Sequence, residues 1–257
     1  MKYLEFEKRN RVGLLKINRP KALNALNLEL LKELEHCLEE ESEKLELVAM
    51  IVTGAGEKAF IAGADIKEMQ GFDKQQILSF ISLGQRVSLL LEKAPFITIA
   101  AINGFALGGG LEMALACDFI YAADSAKLGL PEVMLGIIPG FGGTQRLVRA
   151  VGVRQAKEMI ATGKAISADE AHRIGLVNCV CSKESLISEC LAVAGSIAGH
   201  SQTAIYQAKD AINREDGLSI HEGLDLEKSN FAICFETPER EKAMQAFLEK
   251  SMRGTSA

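Results

Sequence analysis

The sequence predicts an α/β protein with largely parallel strand pairing, followed by a helical C-terminal region. Three observations carry this reading. Apolar strand-like runs alternate with amphipathic helical patterns up to about residue 183. Beyond that point the segments "SLISECLAVAGSIAG", "SQTAIYQAKDAINRE", "LSIHEGLDLEKSNFAICF" and "PEREKAMQAFLEKSM" are helical and strand signals stop. Hydrophobic residues make up 48% of 257, enough for one large core or a core with a smaller appendage. The expected division is 1–195 for the α/β core and 196–257 for the helical region.

Taken in order, the expected strands are 12–17, 47–54, 96–102, 118–123 and 176–181. The first long helix, "NLELLKELEHCLEEE", sets Leu30, Leu31, Leu34, Cys37 and Leu38 on one face at the 3.6-residue period. Asp65 and Glu68 have the spacing of a capping box, so a short helix starts after Asp65. Gly63 and Ala64 precede that start, where backbone N–H groups lack helical partners. Taken alone this is an ordinary helix cap. "TGAGEKA" upstream imitates a dinucleotide fingerprint, but "FIAGAD" follows it in place of a helix, which removes that reading.

Charge and cysteine content narrow the class. Lys and Arg total 29 against 34 Asp and Glu, and the first helix is acidic, which opposes nucleic acid as a partner. The six cysteines form no C-x2-C pair and read as reduced thiols in a cytoplasmic setting. Cys179 and Cys181 share one strand face; packing is the plain reading and a metal pair the sharper one. No secretory leader, transit segment or membrane-spanning run is expected.

Two further loops could carry chemistry. "NGFALGGGLEM" (103–113) places Gly108, Gly109 and Gly110 between a buried strand and a helix, with Glu112 on the helix's first turn. Bare backbone at a helix start suits an oxygen that carries or gains negative charge. No Lys-Ser/Thr follows, so it is not a nucleotide-triphosphate loop. Tight packing explains the glycines equally well. "LGLPEVMLGIIPGFGGTQRL" (128–147) sets Glu132 after Pro131 among apolar residues, either on a surface turn or as a partly buried acid with a raised pKa. None of His36, His172, His200 and His221 lies in these loops, so proton chemistry there falls to carboxylates.

Together these segments resemble the enoyl-CoA hydratase/isomerase (crotonase) family. The likeness begins at "NRPKALNAL" and continues through "AFIAGADIKEM", "AAINGFALGGGLEMALACDFIYA", "LGLPEVMLGIIPGFGGTQRLVRAVG" and "AISADEAHRIGLVN" to "AFLEK". The resemblance implies a right-handed spiral of β-β-α units, with C-terminal helices that assemble trimers paired into a homohexamer. It implies an acyl-CoA thioester as substrate and no cofactor beyond the CoA it carries. The backbone N–H groups of Ala64 and Gly109 would form an oxyanion hole, each donor contributing about 3–4 kcal/mol. Glu112 and Glu132 match the family's acid–base pair: one deprotonates water that attacks C3, and the other, expected to be Glu132, exchanges the proton at C2. Ala62, Ala64, Asp65, Ile66, Lys67, Gly109 and Gly140 match substrate-binding positions, with the Gly140 N–H helping to hold water. Leu111 sits where small or sulfur-bearing residues also occur.

Both glutamates being present points to a hydro-lyase that interconverts trans-2-enoyl-CoA and 3-hydroxyacyl-CoA. An enoyl-CoA isomerase on the same scaffold is the alternative, since isomerases generally manage with one carboxylate. An RNA-binding member would carry a lysine-rich helix where this chain has the acidic one, and a silent scaffold would not need both acids. Butanoate metabolism, fatty-acid oxidation and aromatic degradation all use such a step.

Overall fold

Two sheets of unequal strand length organise the first part of the chain. A computed structural model describes residues 1–215 and 217–254. It divides into two compact units, one covering Met1–Gly195 and a second beginning at Ser196.

In the first unit, β1 (Leu4–Arg9) and β2 (Val12–Ile17) form an antiparallel hairpin. Helix α1 (Leu28–Lys44) follows, capped by the Asn27 side chain, which accepts the Leu30 N–H. Its predicted apolar face is buried residue for residue: Leu30, Leu31, Leu34, Cys37 and Leu38. Next come β3 (Ala49–Gly54), β4 (Ala59–Ile61), α2 (Ile66–Met69) and α3 (Lys74–Lys93). The same order then repeats with β5 (Ile97–Ile102), β6 (Phe105–Leu107) and α4 (Gly109–Leu115). It repeats again with β7 (Phe119–Ala123), β8 (Lys127–Gly129), a 3₁₀ turn over Glu132–Leu135, and α5 (Gly143–Thr162), which is kinked at Gly152. β9 (Ile166–Ser167), α6 (Ala168–Arg173), β10 (Cys179–Cys181) and α7 (Leu186–Ala198) follow.

Each repeat gives one strand to the large sheet, one to the small sheet, and then helix. The large sheet runs β1-β2-β3-β5-β7-β10 and is parallel from β2 onward. The small sheet runs β4-β6-β8-β9, with only the β8–β9 pair antiparallel. This is a β-β-α spiral. Every residue of β3 is buried, as expected for a parallel strand covered on both faces.

The structure trims the expected strands and adds others. The run expected over 176–181 pairs only at Cys179–Cys181. Neither the hairpin strand β1 nor the strands of the small sheet were among the strands read from apolar runs. The strands β4, β6, β8 and β9 have only two or three residues each, too few to show a period of two.

In the second unit, α8 (Gln202–Asn213), α9 (Ile220–Phe235) and α10 (Pro238–Gly254) are helical as expected. Helix α9 opens with a full capping box between Ser219 and Glu222.

Candidate active site

The short strands deliver three loops to one cavity of about 800 Å³ inside the first unit. Its wall includes Ala62 and Ala64 from the loop after β4, Ile66 at the start of α2, Gly109 and Glu112 from α4, and Glu132 and Gly140 from the segment after β8. Phe80, Ile77 and Ile81 of α3 and Phe141 supply apolar surface.

The Ala64 loop is pinned from both sides. The Leu26 N–H donates to the Gly63 carbonyl at 2.8 Å, and the Asp65 N–H donates to the Leu26 carbonyl at 2.8 Å. The Asp65 carboxylate caps α2 by accepting the Lys67 and Glu68 N–H groups, and it pairs with Arg19 at 2.7 Å. Burial alone would raise its pKa, but Arg19 and the capping N–H groups hold it below the usual carboxylate value. The capping box is only half formed. Glu68 accepts the Leu28 N–H at 3.0 Å, tying the loop to the start of α1. Asp65 is thus occupied structurally. Neither it nor the exposed Lys67 contributes to the cavity wall, so of the seven expected binding residues the structure gathers Ala62, Ala64, Ile66, Gly109 and Gly140.

The N–H groups of Ala64 and Gly109 have no hydrogen-bond partner among the described residues. Two unpaired donors in one cavity are suited to an oxygen that gains charge. The glycine triplet has two further causes. A Cβ on Gly110 would lie 2.0 Å from the Ile61 carbonyl oxygen, so helix α4 and strand β4 meet backbone to backbone. Gly108 adopts φ +51, and a Cβ there would lie 2.9 Å from Glu132 Oε1. At Gly109 a Cβ would press on Phe141 and Leu26 at 3.1 and 3.3 Å, so packing as well as ligand access favours bare backbone.

The two glutamates stand in opposite surroundings. Glu112 is 2% exposed. Its Oε1 accepts N–H groups from Phe141 at 2.8 Å and Gly143 at 2.7 Å. Burial raises its pKa, while the Gly143, Phe141 and Gly140 N–H groups and the Arg146 charge oppose the rise. Glu132 follows Pro131 in the 3₁₀ turn, and its buried Oε2 has no hydrogen-bond partner among the described residues. Burial pushes its pKa up to about 7, helped by the neighbouring Glu112 charge and opposed by its own backbone N–H. Of the two sequence readings of Glu132, the partly buried acid is the one found. A carboxylate held by donors beside a carboxyl near neutrality can take a proton at one point and give one at another.

Arg146, Ser88, Glu92 and Phe141 were not singled out in the sequence. "GGTQRL" carries Arg146 in plain view, but nothing local shows that its side chain turns back toward Phe141. Among the described residues no cluster of three or more His, Cys, Asp or Glu is placed to hold a metal ion.

A β-β-α spiral whose short sheet carries a paired-carboxylate cavity defines the crotonase class of fold. The chain belongs to the enoyl-CoA hydratase/isomerase family, whose sequence profile it matches over residues 7–253. It is 46% identical over 244 residues to a crotonyl-CoA hydratase of Syntrophomonas wolfei, covering 95% of this chain and 94% of that one. A short-chain-enoyl-CoA hydratase of Clostridium acetobutylicum is 47% identical with the same coverage. The crystal structure of an enoyl-CoA hydratase from Bacillus anthracis superposes with a TM-score of 0.94 at 43% identity, covering 96% of each chain.

Proposed function

We propose that this chain is an enoyl-CoA hydratase, adding water reversibly and syn across the C2=C3 bond of a trans-2-enoyl-CoA to give a 3-hydroxyacyl-CoA. The observation that carries the reading is the unequal pair: Glu112 clasped by backbone donors and Glu132 raised to about 7, in one cavity with two unpaired N–H groups. The names of the relatives support the same reaction, and "crotonyl" and "short-chain" support a four-carbon acyl group.

The Ala64 and Gly109 N–H groups hold the thioester oxygen and stabilise the negative charge that develops there as C3 is attacked. Ionised Glu112 positions water and takes one proton as the water oxygen bonds to C3. Protonated Glu132 gives its proton to C2, completing addition of one H and one OH. The cycle ends with Glu112 protonated and Glu132 ionised, and proton exchange with solvent restores the pair. No cofactor beyond the CoA of the substrate enters this scheme.

Steady-state kinetics with 2-enoyl-CoAs from four carbons upward test the reading. Loss of the enoyl-thioester absorbance with formation of the 3-hydroxy product supports it. Migration of the double bond with no hydration would assign the chain to the isomerases instead.

We also propose a cytoplasmic homohexamer built from trimers. The six free cysteines support the reduced setting. Exposed apolar residues on the C-terminal helices, including Ile212, Leu224, Phe231 and Phe247, support subunit contacts. Light scattering of the intact protein should give six times the chain mass, and Phe231→Asp should lower it. No helix among the described residues is long and apolar enough to cross a membrane.

A further inference from the structure

Glu112 owes its orientation to two N–H groups of the turn over residues 140–143, so whatever fixes that turn fixes the carboxylate. Arg146, one helical turn into α5, reaches back to it. Its Nη1 donates to the Phe141 carbonyl at 3.1 Å and to Ser88 Oγ at 3.1 Å. Its Nε donates to Glu92 Oε2 at 2.7 Å, and its Nη2 meets the same oxygen at 2.5 Å. Ser88 and Glu92 both belong to α3. The Arg146 side chain is only 12% exposed. Gly142 adopts φ +113, and a Cβ there would lie 2.3 Å from Arg146 Nη1. The guanidinium therefore fills the space that a side chain at 142 would need. The Phe141 ring is gripped in turn by Phe80, at a centroid distance of 5.6 Å, and by bare Gly84 of α3.

We infer that Arg146 is a positioning residue for the reaction: its guanidinium locks the 140–143 turn onto α3 so that the Phe141 and Gly143 N–H groups stay aimed at Glu112. The inference rests on the reading of Glu112 as the group that holds and deprotonates water. The fork is suited to the task, because one planar group serves a carbonyl, a hydroxyl and a carboxylate at once. A lysine offers a point charge and cannot span all three. A plain tie between α5 and α3 uses the same contacts, but it has no reason to act on turnover selectively.

The test compares Arg146→Lys, Arg146→Gln and Gly142→Ala in the intact enzyme. Turnover on 2-butenoyl-CoA should fall about 10–100-fold in each, the scale of a misplacement near 1 Å, with KM little changed. The pH profile separates charge from shape. The Arg146 charge lowers the Glu112 pKa, and the Glu112 charge in turn raises that of Glu132. Arg146→Gln removes the cation, so the acid limb, where Glu112 must ionise, should move to higher pH. Arg146→Lys keeps the charge, so its limb should stay while turnover still falls. The alkaline limb set by Glu132 should stay in all three. Independently of turnover, the amide proton resonances of Phe141 and Gly143 should move upfield as their bonds to Glu112 lengthen. Folded variants with near wild-type turnover overturn the inference. So does a fall in melting temperature with unmoved amide resonances and an unmoved acid limb in Arg146→Gln. A wild-type protein that fails to hydrate any enoyl-CoA sinks the functional reading instead, and the resonances then still decide whether Arg146 sets the clasp.

Discussion

Glu112 and Glu132 are the same side chain in the same cavity, yet the chain builds them as different acids. Glu112 rides on a regular helix, fully buried, with donors brought to it from a separate turn. Glu132 sits in a 3₁₀ turn, half-buried, with one buried oxygen unpartnered. Burial penalises ionisation at both sites, but at Glu112 several backbone donors and the Arg146 charge oppose the rise, whereas at Glu132 only its own backbone N–H does. The difference lies in how the fold rations hydrogen bonds between the two carboxyl groups.

The largest expected effects break the pair outright. Glu112→Gln and Glu132→Gln should each lower turnover by about 10²–10⁴-fold, the range for a general acid or base. The double variant should fall little further, because residues that act as a unit are not additive. The two singles should then differ in kind. If Glu132 is the donor at C2, its Gln variant loses exchange of the C2 proton with solvent. Wild-type exchange in that variant would reverse the two roles.

Next in size is removal of an oxyanion donor, which leaves both acids in place. Gly109→Pro deletes the N–H at the first position of α4, where proline is tolerated in a helix. Turnover should fall about 10²–10³-fold. Its added atoms press on Phe141, whose own N–H serves Glu112, so the acid limb of the pH profile is the control. An unmoved limb assigns the loss to the donor. Ala64→Gly keeps its N–H and should be far milder.

The contrast between the glutamates was only partly legible in the sequence. The residues were visible because a glycine triplet, a proline before a glutamate and four histidines lying elsewhere are local facts. The α1 face was visible because 17 residues give the helical period room to repeat. The small sheet was not, since strands of two or three residues carry no period, and yet those strands bring the loops together. Nor was the partner of each polar group. Glu68 looked like half of a capping box and instead holds Leu28, and Arg146 lies 34 positions from Glu112 and 54 from Glu92. Such pairings are set by how the spiral returns on itself, which a linear string does not display.

A smaller effect sharpens the contrast through the pH dependence of turnover. Hydration needs Glu112 ionised and Glu132 protonated, so kcat/KM should be bell-shaped. Its alkaline side should bend down at about pH 7, where Glu132 gives up its proton. Beyond the bend the fall approaches about tenfold per pH unit, as for loss of a single proton. A profile flat well above pH 7 would remove Glu132 from the protonated role.

The smallest effect is on stability and needs no substrate. Glu132 is raised in the folded protein from 4.5 to about 7, so below the lower value both folded and unfolded chains hold the proton and the group makes no difference. As pH rises between those values the unfolded chain loses its proton first, and the folded state is penalised until it too ionises near 7. The wild type therefore loses stability over that window. Glu132→Gln, which cannot ionise, should gain in melting temperature relative to wild type across it and hold a constant advantage above it. Glu132 is partly open to the cavity, and solvent screening keeps the gain to a few degrees on the scale of about 1 kcal/mol. Glu112→Gln should behave differently, because an amide nitrogen facing the Phe141 and Gly143 N–H groups has no lone pair to offer them. Burial raises the Glu112 carboxyl too, so losing its charge relieves a penalty, but a Gln at 112 gives up the charge-assisted bonds to those donors, so its gain in melting temperature should be smaller than that of Glu132→Gln. A smaller gain at 112 than at 132, measured in one buffer, would isolate the donors as the source of the contrast. Equal shifts would mean that burial alone governs both acids.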